Sequence, residues 1–174
     1  MDKLNVVNDQ NISEYRNALK FLIDNNYKKS IHNNSTTDAA CHIALFFDHA
    51  KKHVKIFCKE LLKSVYDTDF LVESLKNALM RGIKVLVLMQ EAAPDSEKFL
   101  TVLKDKGGLL YIAKGKVKKS KINYSVMDKK AIRFEECNNN CAAISKLNTK
   151  KAKEYSKLFD KMIKNFAEEY KYVH

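Results

Sequence analysis

A chain of 174 residues is long enough to bury one core and short for two independent domains. Its hydrophobic content of 45%, with one proline and four glycines, excludes a disordered or fibrous protein. The 32 Lys and Arg residues exceed the 21 Asp and Glu residues and give a net charge of +11, which favours polyanionic partners such as nucleic acid or anionic lipid. An AT-rich genome would produce the same excess of lysine and asparagine without selection for binding, so charge alone leaves both explanations open.

No segment has the pattern of a targeting signal or a membrane span. Residues 1–15 lack a basic stretch followed by an apolar core, and the runs IALFF and VLVLM are too short to cross a bilayer. We therefore expect a cytoplasmic protein without membrane insertion. The cysteines are predicted to be reduced thiols, because CNNNC lacks the tighter spacing and the matching second half of a zinc site. His49 and His53 are interpreted as helix-end histidines, so no metal and no cofactor are predicted.

The first predicted elements are two helices joined by a polar connector. NISEYRNALKFLIDNN has apolar residues at helical spacing behind a Ser13 cap. The connector covers residues 24–37. Thr37 or Asp38 then caps a second helix in AACHIALFFDHAKK.

Strands and helices alternate in the remaining sequence. HVKIFC has the alternation of a strand, and the next helix starts at Asp67 or Thr68 and ends at Gly82. IKVLVLM is a strand covered on both faces, FLTVLKDKGG is a short helix, and LLYIAKG is a further strand. Two short strands follow in KINYSVMDKKAIRFEE. One long amphipathic helix begins at Thr149.

This order predicts an α/β fold. Strands that alternate with helices at this spacing favour βαβ units with right-handed crossovers, and the hairpin of residues 121–136 adds an antiparallel part. We expect a mixed, largely parallel sheet flanked by helices, with a long C-terminal helix. The polar connector divides the chain into an N-terminal helical segment, residues 1–35, and an α/β domain, residues 36–174.

Two stretches resemble the phospholipase D-like family. HVKIFCKELLKSVYDTDFLVESLKNALMRGIKVLVLM is similar to the first half of that domain, with Arg81 and Gly82 before an apolar strand. YSVMDKKAIRFEE is similar to the strand pair that carries the family signature, and ISKLNTKKAKEYSKLFDKMI to the closing segment. The resemblance covers roughly residues 40–165 and implies a phospholipase D-like fold.

The resemblance also implies where the family's active site would lie. The signature is H-x-K-x4-D, in which the His attacks phosphorus, the Lys holds the nonbridging oxygens and the Asp supports the structure. With Asp128 in the Asp position, Lys121 replaces the His and Asn123 replaces the Lys. A protonated lysine is a poor nucleophile and asparagine carries no positive charge, so the signature is degenerate and predicts a non-catalytic protein. Asp128 is also sufficiently explained as a turn residue.

A second set of residues resembles the signature in letters only. His53, Lys55 and Glu60 read H-x-K-x4-E, but they lie at the first strand of the predicted sheet rather than at the later strand pair. A short pattern counts only in its structural context, and this one arises easily by chance in a lysine-rich chain. These residues are the candidates for catalysis if the protein is a phosphodiesterase or nuclease.

The stretch KGKVKKSK is the candidate ligand-binding segment. Five of its eight residues are lysines, and it follows a predicted strand, where α/β sheets usually bind ligands. We expect a polyanion such as a nucleic-acid backbone to bind Lys114, Lys116, Lys118, Lys119, Lys121 and Arg133. A solvated loop without a ligand is the alternative. A third hypothesis is a protein-association module, a homodimer joined through the apolar face of the terminal helix.

Overall fold

A single sheet of eight strands runs through the protein. The computed structural model describes residues 9–27, 30–33, 35–91, 95–136 and 142–170. Within them the strands lie in the order β1-β7-β6-β5-β2-β3-β4-β8. Their bounds are β1 Ile31–Asn33, β2 His53–Cys58, β3 Lys84–Met89, β4 Leu109–Ala113, β5 Ile122–Met127, β6 Ala131–Glu136, β7 Ala142–Leu147 and β8 Ala167–Glu169.

Helices cover the sheet. The bounds of the α-helices are α1 Asp9–Asp24, α2 Thr36–His49, α3 Lys63–Tyr66, α4 Asp69–Met80, α5 Glu97–Asp105 and α6 Thr149–Phe166, and a short 3-10 helix spans Gly115–Lys119. The N-cap of α2 is Ser35, whose hydroxyl accepts the Asp38 backbone N–H at 3.0 Å, so the helix begins earlier than the predicted caps Thr37 or Asp38. No described helix has the length and apolar character needed to cross a bilayer.

The predicted mixed sheet flanked by helices is confirmed. Parallel pairing joins β2, β3 and β4, whose connections contain α3, α4 and α5. The pairings outside this centre are antiparallel, which includes the predicted β5–β6 hairpin. The antiparallel part extends beyond that hairpin, because β1, β7 and β8 are short strands to which the sequence pattern assigns no strand.

The two faces of the sheet pack against different helices. Val54, Ile56 and Cys58 of β2 belong to the cluster formed with α2, α4 and α5. Phe57 lies in a second cluster with α6, since successive side chains of a strand point to opposite faces. The apolar side of α6, including Phe159, is buried against the sheet. Leu158 of α6 remains exposed, and the alternative that α6 joins a dimer stays a prediction.

The N-terminal helical segment packs on the α/β body. Leu19 of α1 is buried against Cys41 and Leu45 of α2, and the Tyr15 hydroxyl lies 3.0 Å from Nε2 of His42. Strand β1 adds to the sheet edge beside β7. The boundary at residue 35 stays a prediction.

Candidate functional site

The candidate ligand-binding segment lies at the carboxyl edge of the parallel strands. Strands β2, β3 and β4 end at Cys58, Met89 and Ala113, and β5 begins at this edge because it is antiparallel to β2. Residues 114–121, which we call the basic loop, directly follow β4. Ligands of open α/β sheets bind beyond this edge, so the structure agrees with the predicted position of the loop.

The basic loop is anchored by apolar and polar contacts. Val117 is buried in the cluster with α6, while the lysines on either side of it are exposed. The side-chain Nε2 of Gln90, which follows β3, donates to the Ser120 carbonyl oxygen at 2.9 Å. Gln90 was missed by sequence reasoning, although a glutamine that ends an apolar strand is a visible signal. These contacts hold the loop backbone in place and leave its ammonium groups in solvent.

The lysines of the loop differ in whether their ammonium groups contact other side chains. Lys114 forms an ion pair with Glu168, and Nζ of Lys116 lies 5.3 Å from the centre of the Phe166 ring. Lys118, Lys119 and Lys121 are exposed, and no ion pair is formed by them within the described residues. These three lysines are therefore the cations most open to an anionic ligand.

Arg133 does not share this surface. It lies in the middle of β6 opposite Ser125 of β5, and only 5% of it is exposed. Its Nη1 donates to the Glu135 carboxylate at 2.9 Å. Because alternate residues of a strand share a face, both side chains point to the helix side formed by α2 and α4. The structure thus separates Arg133 from the lysines with which the sequence grouped it.

The three residues that the resemblance assigns to the degenerate signature lie along β5 and at its two ends. Lys121 is exposed just before the strand, and the Asn123 side-chain oxygen accepts the Lys59 backbone N–H at 2.9 Å. Asp128 follows the other end of β5, so it lies roughly 17 Å from Asn123, at about 3.4 Å per residue. The Asn123 and Asp128 side chains both bond the backbone of the segments that flank β2.

Asp128 joins the β5–β6 turn to the start of β2. Its carboxylate accepts the backbone N–H groups of Lys51 at 2.6 Å, Lys52 at 2.8 Å and His53 at 2.8 Å. Its own N–H donates to the His53 carbonyl oxygen at 3.1 Å. Asp128 and Lys129 both have positive φ, 50° and 57°, and the Lys130 N–H donates to the Met127 carbonyl oxygen at 2.8 Å, as in a type I′ turn with these two residues at its centre. We call this arrangement the Asp128 clamp. It is a larger structural role than the simple turn predicted.

The alternative catalytic residues lie at separate places. His53 starts β2 and Glu60 follows its other end, so the strand separates them. Lys55 is buried under α6, where its Nζ donates to Ser156 Oγ at 2.9 Å and to the Asp160 carboxylate at 2.6 Å. Burial lowers the pKa of His53, and the Lys55 charge adds to that shift. The geometry brings His53 near Lys55 but not Glu60, and catalysis by these residues stays untested.

The described residues contain no cluster of three His, Cys, Asp or Glu side chains suited to a metal ion. Cys41 and Cys58 are buried thiols, and burial raises the pKa of Cys41 to about 11. His49 lies with its Nε2 3.4 Å from the Asp24 carboxylate, and its Nδ1 lies 3.1 Å from the Leu45 carbonyl oxygen. Cys137 and Cys141 lie outside the described residues.

Comparison with known proteins identifies the fold but not a family of sequences. No protein-family model and no curated protein matches this chain. Nuc of Salmonella typhimurium, a phospholipase D family member, is 14% identical over 83% of this chain and 97% of its own, with a TM-score of 0.60. NucT of Helicobacter pylori is 15% identical over 79% and 97%, with a TM-score of 0.61. The fold is therefore phospholipase D-like.

A DNA-binding protein has a similar structure. TrmBL2, an archaeal chromatin protein with a novel mode of DNA binding, is 9% identical over 88% of this chain, with a TM-score of 0.60. This chain spans 60% of the length of TrmBL2. At such low identity the likeness concerns the fold alone.

Proposed function

We propose that this protein is a non-catalytic phospholipase D-like module that binds the phosphate backbone of nucleic acid through its basic loop. The observation that carries the proposal is the exposure of Lys118, Lys119 and Lys121 on an anchored loop at the carboxyl edge of the sheet. An anchored loop loses less conformational freedom on binding than a mobile one, so its cations bind phosphates at a lower entropic cost.

The character of the surface favours phosphate contacts over base recognition. Tyr124 is buried, Tyr111 is half-buried in β4, and the half-buried Phe166 ring lies under the Lys116 ammonium, so none of these three rings is fully open for stacking. Lysine ammonium groups contact phosphates without reading sequence. We therefore expect weak sequence preference and strong salt dependence. The DNA-binding fold neighbour TrmBL2 supports nucleic acid over other polyanions.

The non-catalytic part of the proposal rests on the degenerate signature. Lys121 and Asn123 stand where the resemblance puts the nucleophile and the phosphate-binding lysine. Asn123 directs its side-chain oxygen to the Lys59 N–H, and an amide cannot replace a cation beside the phosphate. Hydrolysis of a phosphodiester such as bis(p-nitrophenyl) phosphate, lost in His53→Ala, would contradict this part and would favour the alternative site.

Fluorescence anisotropy with labelled duplex DNA, single-stranded DNA and RNA, across a salt series, tests the binding. The variant replaces Lys118, Lys119 and Lys121 with glutamine. The slope of log K against log salt is negative, and for duplex DNA each lost phosphate contact makes it less steep by about 0.9. We therefore expect the slope of the variant to be less steep than that of wild type by up to about 2.7.

The matched control replaces three ion-paired lysines with glutamine: Lys20, Lys76 and Lys98 of helices α1, α4 and α5, which pack on the other side of the sheet from Val117. It removes the same charge, and we expect its affinity to stay within about twofold of wild type, since exposed pairs contribute little to a distant site. An equal loss in both variants would show a response to net charge only. No binding at low salt would overturn the proposed function and favour protein association, which light scattering across a concentration series would detect.

A further inference from the structure

A second group of lysines lies at the opposite edge of the sheet. The loop between α2 and β2, the start of β3 and the β5–β6 turn meet there, because β5 is antiparallel to β2. The second basic surface consists of the exposed residues Lys51, Lys52, Lys84, Lys129 and Lys130.

The backbone under this surface is held by hydrogen bonds. The Asp128 clamp binds the N–H groups of Lys51 and Lys52 to the turn that carries Lys129. The Lys84 N–H donates to the Lys52 carbonyl oxygen at 3.0 Å. Residues more than 70 positions apart in the chain are thereby fixed side by side, so the lysines share one surface rather than lying on independent loops.

The charge of the surface is not balanced by neighbouring acids. None of its five lysines forms an ion pair within the described residues, whereas six other lysines do: Lys20, Lys55, Lys59, Lys76, Lys98 and Lys114. Asp128, which directly precedes Lys129 in the chain, directs both carboxylate oxygens to backbone N–H groups and not to these ammonium groups. Clustered cations repel one another, and a polyanion relieves that repulsion.

Lys129 adds an independent observation. Its φ of 57° lies in the left-handed region, where glycine is the favoured residue of a hairpin turn and a side chain adds strain. The turn nevertheless carries a lysine there, and the lysine is exposed. A glycine would adopt this φ without strain, so the feature that lysine adds at this position is its positive charge.

The two basic surfaces lie at opposite edges of the sheet. Strand β2 has six residues and spans roughly 20 Å, and the basic loop and the second basic surface lie beyond its two ends. Duplex DNA has a persistence length of about 50 nm, so a duplex that crosses one edge at right angles to the strands stays straight and does not reach the other edge. Each edge is therefore able to bind its own duplex.

We propose that the second basic surface binds the phosphate backbone of a second duplex, so that one chain bridges two nucleic-acid segments. This inference rests on the proposed function, because the first duplex is bound by the basic loop.

A capture assay tests bridging. Protein is incubated with a duplex immobilised on beads and a free fluorescent duplex, and captured fluorescence is measured, with binding to one duplex followed by anisotropy. The surface variant replaces Lys51, Lys52, Lys129 and Lys130 with glutamine. We expect it to bind a single duplex within about fivefold of wild type, because its basic loop is intact, and to lose at least about nine-tenths of the capture.

The single substitution Lys129→Gly checks that lost capture is not lost folding. We expect its melting temperature to equal or exceed that of wild type, since the glycine relieves the strained turn, while capture falls. Unchanged capture in both the surface variant and Lys129→Gly would overturn the inference.

The remaining outcomes separate this inference from the proposed function. Wild-type protein that binds one duplex but captures no second one overturns bridging and leaves the proposed function standing. Capture that is lost in the basic-loop variant but kept in the surface variant, with a dimeric mass by light scattering, shows bridging by paired loops and also overturns the inference. Absence of any duplex binding at low salt overturns both.

Discussion

Replacing Asp128 with alanine removes the hydrogen bonds that the clamp makes to the N–H groups of Lys51, Lys52 and His53. Lys51 and Lys52 are exposed, so water replaces the carboxylate there and each lost bond costs about 0.5 kcal/mol, while the half-buried His53 N–H adds about 1 kcal/mol. Alanine at a φ of 50° adds a further strain of about 1 kcal/mol. We expect the free energy of unfolding to fall by about 3 kcal/mol.

Urea unfolding followed by circular dichroism measures this change, and the melting temperature should fall by roughly 6–12 °C for a chain of this size. Asp128→Asn is the conservative variant. Asparagine accepts through one oxygen and tolerates positive φ, so we expect a loss of about 1 kcal/mol.

Asp95→Ala is the matched control. Its carboxylate accepts one backbone N–H, that of Lys63 at 3.0 Å, and the residue is exposed, so the loss should not exceed about 1 kcal/mol. If Asp128→Ala were no more destabilising than this control, Asp128 would be a simple turn residue and the Asp128 clamp would not stabilise the fold.

Four other variants test the core and the pH response. Burial lowers the pKa of His42 from 6.5 to about 4. As pH falls, the unfolded chain therefore binds a proton at this histidine before the folded chain does. The free energy of unfolding should keep its full value above pH 6.5 and fall by about 3 kcal/mol as pH approaches 4. Urea unfolding at pH 7 and pH 4.5 should show this loss in wild type and a smaller one in His42→Leu. Asp160→Ala should cost about 1–3 kcal/mol and lower the melting temperature more than Lys55→Met does, because it leaves a buried ammonium without its carboxylate. Gly108→Ala should cost about 1–2 kcal/mol in the same assay, because its Cβ would lie 2.3 Å from Cδ1 of Leu103; an unchanged melting temperature would show that the helix end relaxes freely.

The sequence predicts the centre of the fold well and its edges poorly. HVKIFC and IKVLVLM have periodicities that match the buried strands β2 and β3. Strands β1 and β8 have three residues each, which is too short for a period of two to stand out. Their pairing is set by the neighbouring strand and not by their own sequence, so only the assembled sheet reveals them.

The part of the candidate site that depends only on the order of elements along the chain, the basic loop, was predictable from the sequence. The basic loop follows a strand, and the sheet topology then places it at the carboxyl edge. The burial of Arg133 was not predictable, because the register of β6 decides which face a side chain takes and a shift of one residue reverses it. The second basic surface depends on the pairing of β2 with β5 and on the hydrogen bonds of Asp128, which bring the Lys51-Lys52 and Lys129-Lys130 pairs from distant parts of the sequence to one edge.

The last described strand protects the protein from self-association through its sheet. Strand β4 has the apolar sequence LLYIA, and without β8 its backbone N–H and C=O groups would form an open edge. Such an edge is a template for pairing with another molecule, and short strands that carry charge are a common barrier to it. Strand β8 pairs with β4 and presents Glu168 and Glu169 at the rim. Loss of residues 167–170 would therefore favour aggregation at concentrations where the full chain stays dispersed, although it removes little of the core.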